Sequence, residues 1–107
     1  MSKISLTHNK TEYTLEYNRQ SVKTMESQGF VLDELTSKPM TMIPLLFSGA
    51  FIKNHRGVKR SVVDEIFDNI ADKSGLMEAL MEMYAETLSA LTESNDSEGN
   101  VTWARVK

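Results

Sequence analysis

A chain of 107 residues with 40% hydrophobic and 25% charged side chains has the size and composition of one globular domain, which excludes both a wholly disordered chain and two full domains. It contains no cysteine, so disulfides, cysteine-ligated zinc and thiol catalysis are excluded. The net charge of −3 is unevenly spread: residues 1–63 carry 9 basic and 5 acidic side chains, 64–98 carry 1 and 10, and 99–107 carry 2 basic and none acidic. Such polarity permits head-to-tail contact between copies.

The N-terminal stretch MSKISLTHNK lacks the apolar core of a secretory signal, and the most apolar run, MTMIPLLFSGAFI, is shorter than the ~20 residues a membrane span needs. The expectation is a soluble cytoplasmic protein without membrane contact. In KISLT, Ile4 and Leu6 share one face, and in EYTLEY the residues Tyr13, Leu15 and Tyr17 share another. That alternation predicts two strands, and Asn9 between them tolerates the left-handed backbone of a hairpin turn. A lone hairpin is marginal in water, so it must lie on helices.

Asn18 reads as the N-cap of a helix running through about Gln28, with Gly29 at its left-handed end. Phe30, Val31, Leu32 and Leu35 are expected to tuck a short connection back against the core. The next helix is predicted from near Thr41 to about His55, because Pro44 suits a first turn. Ile43, Leu46, Phe47, Ala50 and Phe51 form its apolar stripe, with Leu45 and Ile52 outside it, which makes it the central helix. After the basic corner NHRGVKR, Ser61 with Asp64 resembles a capping box opening a helix with Val62, Val63, Ile66, Phe67 and Ile70 on one face. The last helix, about Leu76–Thr92, carries Leu76, Leu80, Tyr84, Leu88 and Leu91 on one flank and Met77, Met81 and Met83 beside it. Residues 1–92 thus read as a single α+β domain, mainly α, with an N-terminal hairpin on about four helices. Residues 93–100 read as a flexible linker and 101–107 as a strand-like tail.

No residue pattern supports catalysis. His8 and His55 are the only histidines and stand outside any ligand-spaced cluster, and there is no G-x-S-x-G, Walker or G-x-G-x-x-G motif. Glu78, Glu82 and Glu86 recur at helical spacing but lack facing ligands for a metal pair. No enzyme, metal or cofactor is expected. The basic corner has no aromatic residues interleaved for base stacking, which argues against nucleic acid. Seven methionines, six beyond the first residue, are the informative excess: flexible thioethers suit surfaces that accept poorly defined partners, and equally they fill irregular gaps in a core.

The order of features, a hairpin with EYTLEYNRQSVKTMESQGF, then DELTSKPMTMIPLLFSGAFIKNH, then an acidic helix pair ending LMEALMEMYAETLSALTE, resembles the small tail assembly chaperones of long-tailed bacteriophages of Gram-positive hosts. The resemblance spans nearly the whole chain, and Tyr17–Phe30 and Pro39–His55 carry most of it. It implies a non-enzymatic factor in the host cytoplasm that keeps the tape measure protein soluble until the major tail tube protein polymerises and displaces it. It also implies absence from the mature virion and, in many relatives, a frameshifted longer form. The rival readings are a structural or tail-completion protein retained in the virion and a small nucleic-acid-binding regulator.

Within the chaperone reading, Met77, Met81, Tyr84 and Trp103 are the expected partner-binding residues. Self-association is expected between the basic Lys53, Arg56, Lys59 and Arg60 and the acidic Asp64, Asp68, Glu78, Glu82 and Glu86, giving rings or spirals. Trp103 sits in VTWARVK, where Val101, Trp103 and Arg105 share one side of a strand. Two routes bury its indole: pairing with the edge of the N-terminal hairpin, or crossing to a neighbouring subunit or client.

Overall fold

A computed structural model describes residues 3–92 and Ala104. The 93–100 linker and the strand-like 101–107 tail with Trp103 therefore lie outside the described residues, Ala104 excepted, and Ala104 is exposed. Seven elements follow in order: β1 (Ile4–His8), β2 (Thr11–Leu15), α1 (Arg19–Ser27), a single 3-10 turn (Leu32–Glu34), α2 (Pro39–Gly49), α3 (Arg60–Asp68) and α4 (Lys73–Thr92). This is the expected α+β arrangement of a two-stranded antiparallel hairpin with four helices.

The hairpin pairs Ile4 with Leu15 and His8 with Thr11, leaving a two-residue turn. Asn9 and Lys10 both adopt positive φ, 49° and 67°, the backbone that a turn matching the strand twist demands. Asn18 caps α1 as expected: its side chain accepts from the Ser21 amide at 2.7 Å while the Ser21 hydroxyl accepts from the Asn18 amide at 2.8 Å. Gly29 then takes φ 98°. Phe30 is buried and Leu32 and Leu35 are partly buried, but Val31 faces solvent.

α2 is the central helix, touching α1, α3, α4 and the 3-10 turn. Its limits differ from the predicted ones. Pro39, at the first helical position, opens it, where a missing amide costs nothing. Pro44 is interior, so the carbonyl of exposed Met40 loses its helical donor and falls to solvent. The helix stops at Gly49, after which Ala50, Phe51 and Ile52 donate to the carbonyls three residues back. The Leu46 carbonyl, released by that tightening, is taken by the buried Tyr17 hydroxyl. Burial raises the Tyr17 phenol far above its ordinary pKa, with Tyr84 adding to the effect, so it remains a donor. At Gly49 a Cβ would overlap the Sδ of fully buried Met25, so this glycine lets α1 approach.

The segment leaving α2 closes the outer edge of β2. Ala50 O accepts from Glu16 N at 3.1 Å, Asn54 Nδ2 donates to Thr14 O at 3.2 Å, and Thr14 N donates to His55 Nε2 at 2.9 Å. His55 is therefore a neutral acceptor here, with its proton on Nδ1, and Tyr13 packs edge-on against it at 5.1 Å. Glu16, 5% exposed, accepts from Asn54 Nδ2 at 2.9 Å and from Lys53 Nζ at 3.0 Å. The Asn54 amide and then the Lys53 ammonium hold its carboxyl below the ordinary value, against the opposing effect of burial. Since this edge is covered at Thr14 and Glu16, β1 is the longer free edge for a C-terminal strand to join.

The expected capping box at Ser61 does not form: Lys59 precedes α3 without a side-chain cap, and Asp64 pairs with Arg60 at 3.2 Å. α4 opens three residues before its predicted start because Asp72 Oδ1 accepts from Gly75 N at 3.0 Å. Leu15, Met25, Leu46, Phe47 and Leu80 are the centre of the core.

Candidate functional site

α2 carries two apolar stripes. Met42, Leu46 and Gly49 turn inward, whereas Met40, Ile43, Pro44 and Phe47, spaced i, i+3, i+4, i+7, line one wall of a surface groove of about 740 Å³. Phe67 of α3, Met77 of α4 and Pro39 complete its apolar lining. Phe47 belongs to core and groove alike: its ring is 5.2 Å from Phe67 and 5.1 Å from Phe51. Met40 is 89% exposed, the most exposed large apolar side chain among the described residues.

Charges stand only at the rim. Arg60 and Asp64 neutralise each other. The Lys73 ammonium lies 5.7 Å from the Phe67 ring centroid and donates to the Ile70 carbonyl at 3.0 Å and the Asp68 carbonyl at 3.4 Å, a position that suits the negative end of α3. Among the described residues no ion pair engages the Asp68 carboxylate. An apolar trough with a charged rim is the arrangement that accepts an amphipathic segment.

The predicted partner-binding residues separate. Met77 is in the groove and Met81 is exposed one turn further along α4. Tyr84 is a correction: it is 3% exposed, stacked edge-on against Tyr17 at 5.6 Å and Phe30 at 5.2 Å, and so belongs to the core. Burial, with Glu26 nearby, raises its phenol pKa. Met83 is also buried. Trp103 falls outside the described residues. Met40, Ile43 and Pro44 were missed as a surface because Pro44 reads as a helix-start signal, although their spacing with Phe47 was legible.

The charged set is likewise divided. Lys53 is bound to Glu16 and Arg60 to Asp64, so neither is free to reach a neighbouring copy without breaking an internal pair. Arg56 and Lys59 have no ion pair among the described residues. Asp64 and Asp68 stand at the groove rim, and Glu78, Glu82 and Glu86 are exposed on α4. His8 pairs instead with Glu65 at 3.3 Å, tying the hairpin tip to α3. Among the described residues no group of three or more metal-ligating side chains is assembled, and no helix is long and apolar enough to cross a membrane.

The chain belongs to a family described as a domain of unknown function, DUF5055, whose sequence model matches residues 1–106. No curated protein and no solved structure matches it.

Proposed function

We propose that this DUF5055 member is a non-enzymatic tail assembly chaperone of a long-tailed bacteriophage. In this reading it binds apolar helical segments of the tape measure protein in the host cytoplasm and is displaced when the major tail tube protein polymerises. The observation that carries the reading is the groove itself, lined by Met40, Ile43 and Pro44 of α2, Phe67 of α3 and Met77 of α4. An amphipathic client helix, ~10–12 Å across with its side chains, presents repeated apolar anchors to such a trough. The thioethers of Met40 and Met77 in its lining accommodate anchors of differing shape. Weak contacts repeated along a long client add avidity while each remains reversible.

Co-expression with the tape measure protein tests this. The client should move to the soluble fraction with the chaperone and return to the pellet with a Met40→Lys, Met77→Lys variant. A client that stays insoluble beside the folded parent protein overturns the proposal, and recovery of the protein in purified virions would favour a structural tail component. Self-association is retained in reduced form, with Arg56 and Lys59 facing Asp68, Glu78 and Glu82 of a neighbouring copy. It should weaken as salt rises, given a Debye length of ~10 Å at 0.1 M. Sedimentation showing a monomer at every concentration and salt removes it.

A further inference from the structure

We infer that the groove is also the seat of this chain's own C-terminal segment, Val101–Val106, with the Trp103 indole lying between Met77 and the Phe67 ring. The segment contains the protein's only tryptophan, a large apolar ring that follows the polar stretch TESNDSEGN. Indoles find their place against aromatic rings and thioethers, and the lining of this groove offers both in Phe67 and Met77.

Length permits it. From Met77 to Thr92 α4 climbs ~22 Å at 1.5 Å per residue, and the eleven residues from Thr92 to Trp103 span up to ~36–40 Å when extended. The tail therefore reaches the groove by folding back along α4, without a second copy. Charge selects this groove over the smaller cleft between α1 and α4, which is closer to Thr92. That cleft is lined by Arg19 and Lys23 as well as Glu26, whereas the tail is purely basic, with Arg105 and Lys107. The groove rim presents the Asp68 carboxylate, and its two cations are engaged by Asp64 and by the α3 carbonyls. The inference is independent of any client and is tested on this chain alone.

Because Trp103 is unique, its fluorescence reads the site directly. In the full-length protein its emission should be blue-shifted and protected from acrylamide, unchanged on dilution. Met77→Lys should red-shift it and expose it to quencher with unaltered far-UV circular dichroism. Met40→Lys, at a side chain too exposed to support the core, should do the same and covers the case in which Met77→Lys unfolds. Solvent-like emission in the parent protein overturns the inference, as does shielding that survives both substitutions in folded protein. Shielding lost on dilution assigns the seat to a second copy's tail, and shielding lost in Leu88→Glu assigns it to the α1–α4 cleft. Either of those results also overturns it.

Discussion

The two ends of α2 are built on opposite principles. At its C-terminal end, a set of polar groups has partners from a distant part of the chain: Tyr17 on the Leu46 carbonyl, Glu16 N on the Ala50 carbonyl, and Lys53, Asn54 and His55 on Glu16 and Thr14. At its N-terminal end, Pro39 opens the helix, Pro44 deprives a carbonyl of its donor, and Met40 and Ile43 face an open trough. One end fastens the hairpin to the helices and the other is left as a contact surface. A single helix thus holds the fold and leaves an apolar face open without either feature constraining the other, except at Phe47, where the two regions meet.

Phe47 is accordingly where the division should break most severely. Phe47→Ala removes a ring shared by core and groove and should cost ~3–5 kcal/mol, read from urea denaturation. That is a large share of the ~5–15 kcal/mol typical of a domain. A loss below about 1 kcal/mol would show that the ring serves the groove alone.

The fastened end should respond to acid through Glu16. Its folded carboxyl is held below the ordinary value, so its contribution is complete above ~4.3 and is lost as pH falls through the depressed folded value. Glu16→Gln should destabilise the protein at pH 7 by ~1.5–3 kcal/mol, the worth of hydrogen bonds to a charged group, and should reduce the loss of stability between neutral and acid pH. Equal acid sensitivity in parent and variant would remove Glu16 from that response.

His55→Ala leaves the Thr14 amide without its acceptor, at a cost of ~1–3 kcal/mol. Amide exchange should report the opening locally, with Thr14 and Glu16 accelerated together and the α4 amides unchanged. The smallest effect on stability belongs to the open end. Met40→Lys should change it by no more than ~0.5 kcal/mol while disturbing whatever seats in the groove. If it destabilises as much as His55→Ala, the exposed stripe is part of the fold after all.

What was legible follows from range. Alternation around Asn9 and the Asn18 and Gly29 signals are local, and the hairpin and α1 stand where those residues put them. The α2 limits were misplaced because two prolines compete for the same helix start, and the one that occupies it is Pro39. Tyr84 shares a helical flank with both buried Leu80 and exposed Leu88, and periodicity cannot tell which of them sets its burial. The clamp was illegible for a different reason: Asn54 and His55 act on the backbone of residue 14, 40 and 41 positions away. Side chains that recognise main-chain groups leave no complementary residue type to find.

The closed β2 edge also governs how hairpins from different copies can meet. A ribbon with two free edges is bivalent and adds strands without limit, the route to fibrillar ladders. With the Thr14 and Glu16 part of the β2 edge covered by residues 50–55, edge pairing between two copies falls to β1 on each, and sheet growth through those edges terminates at a four-stranded pair instead of an unlimited ladder.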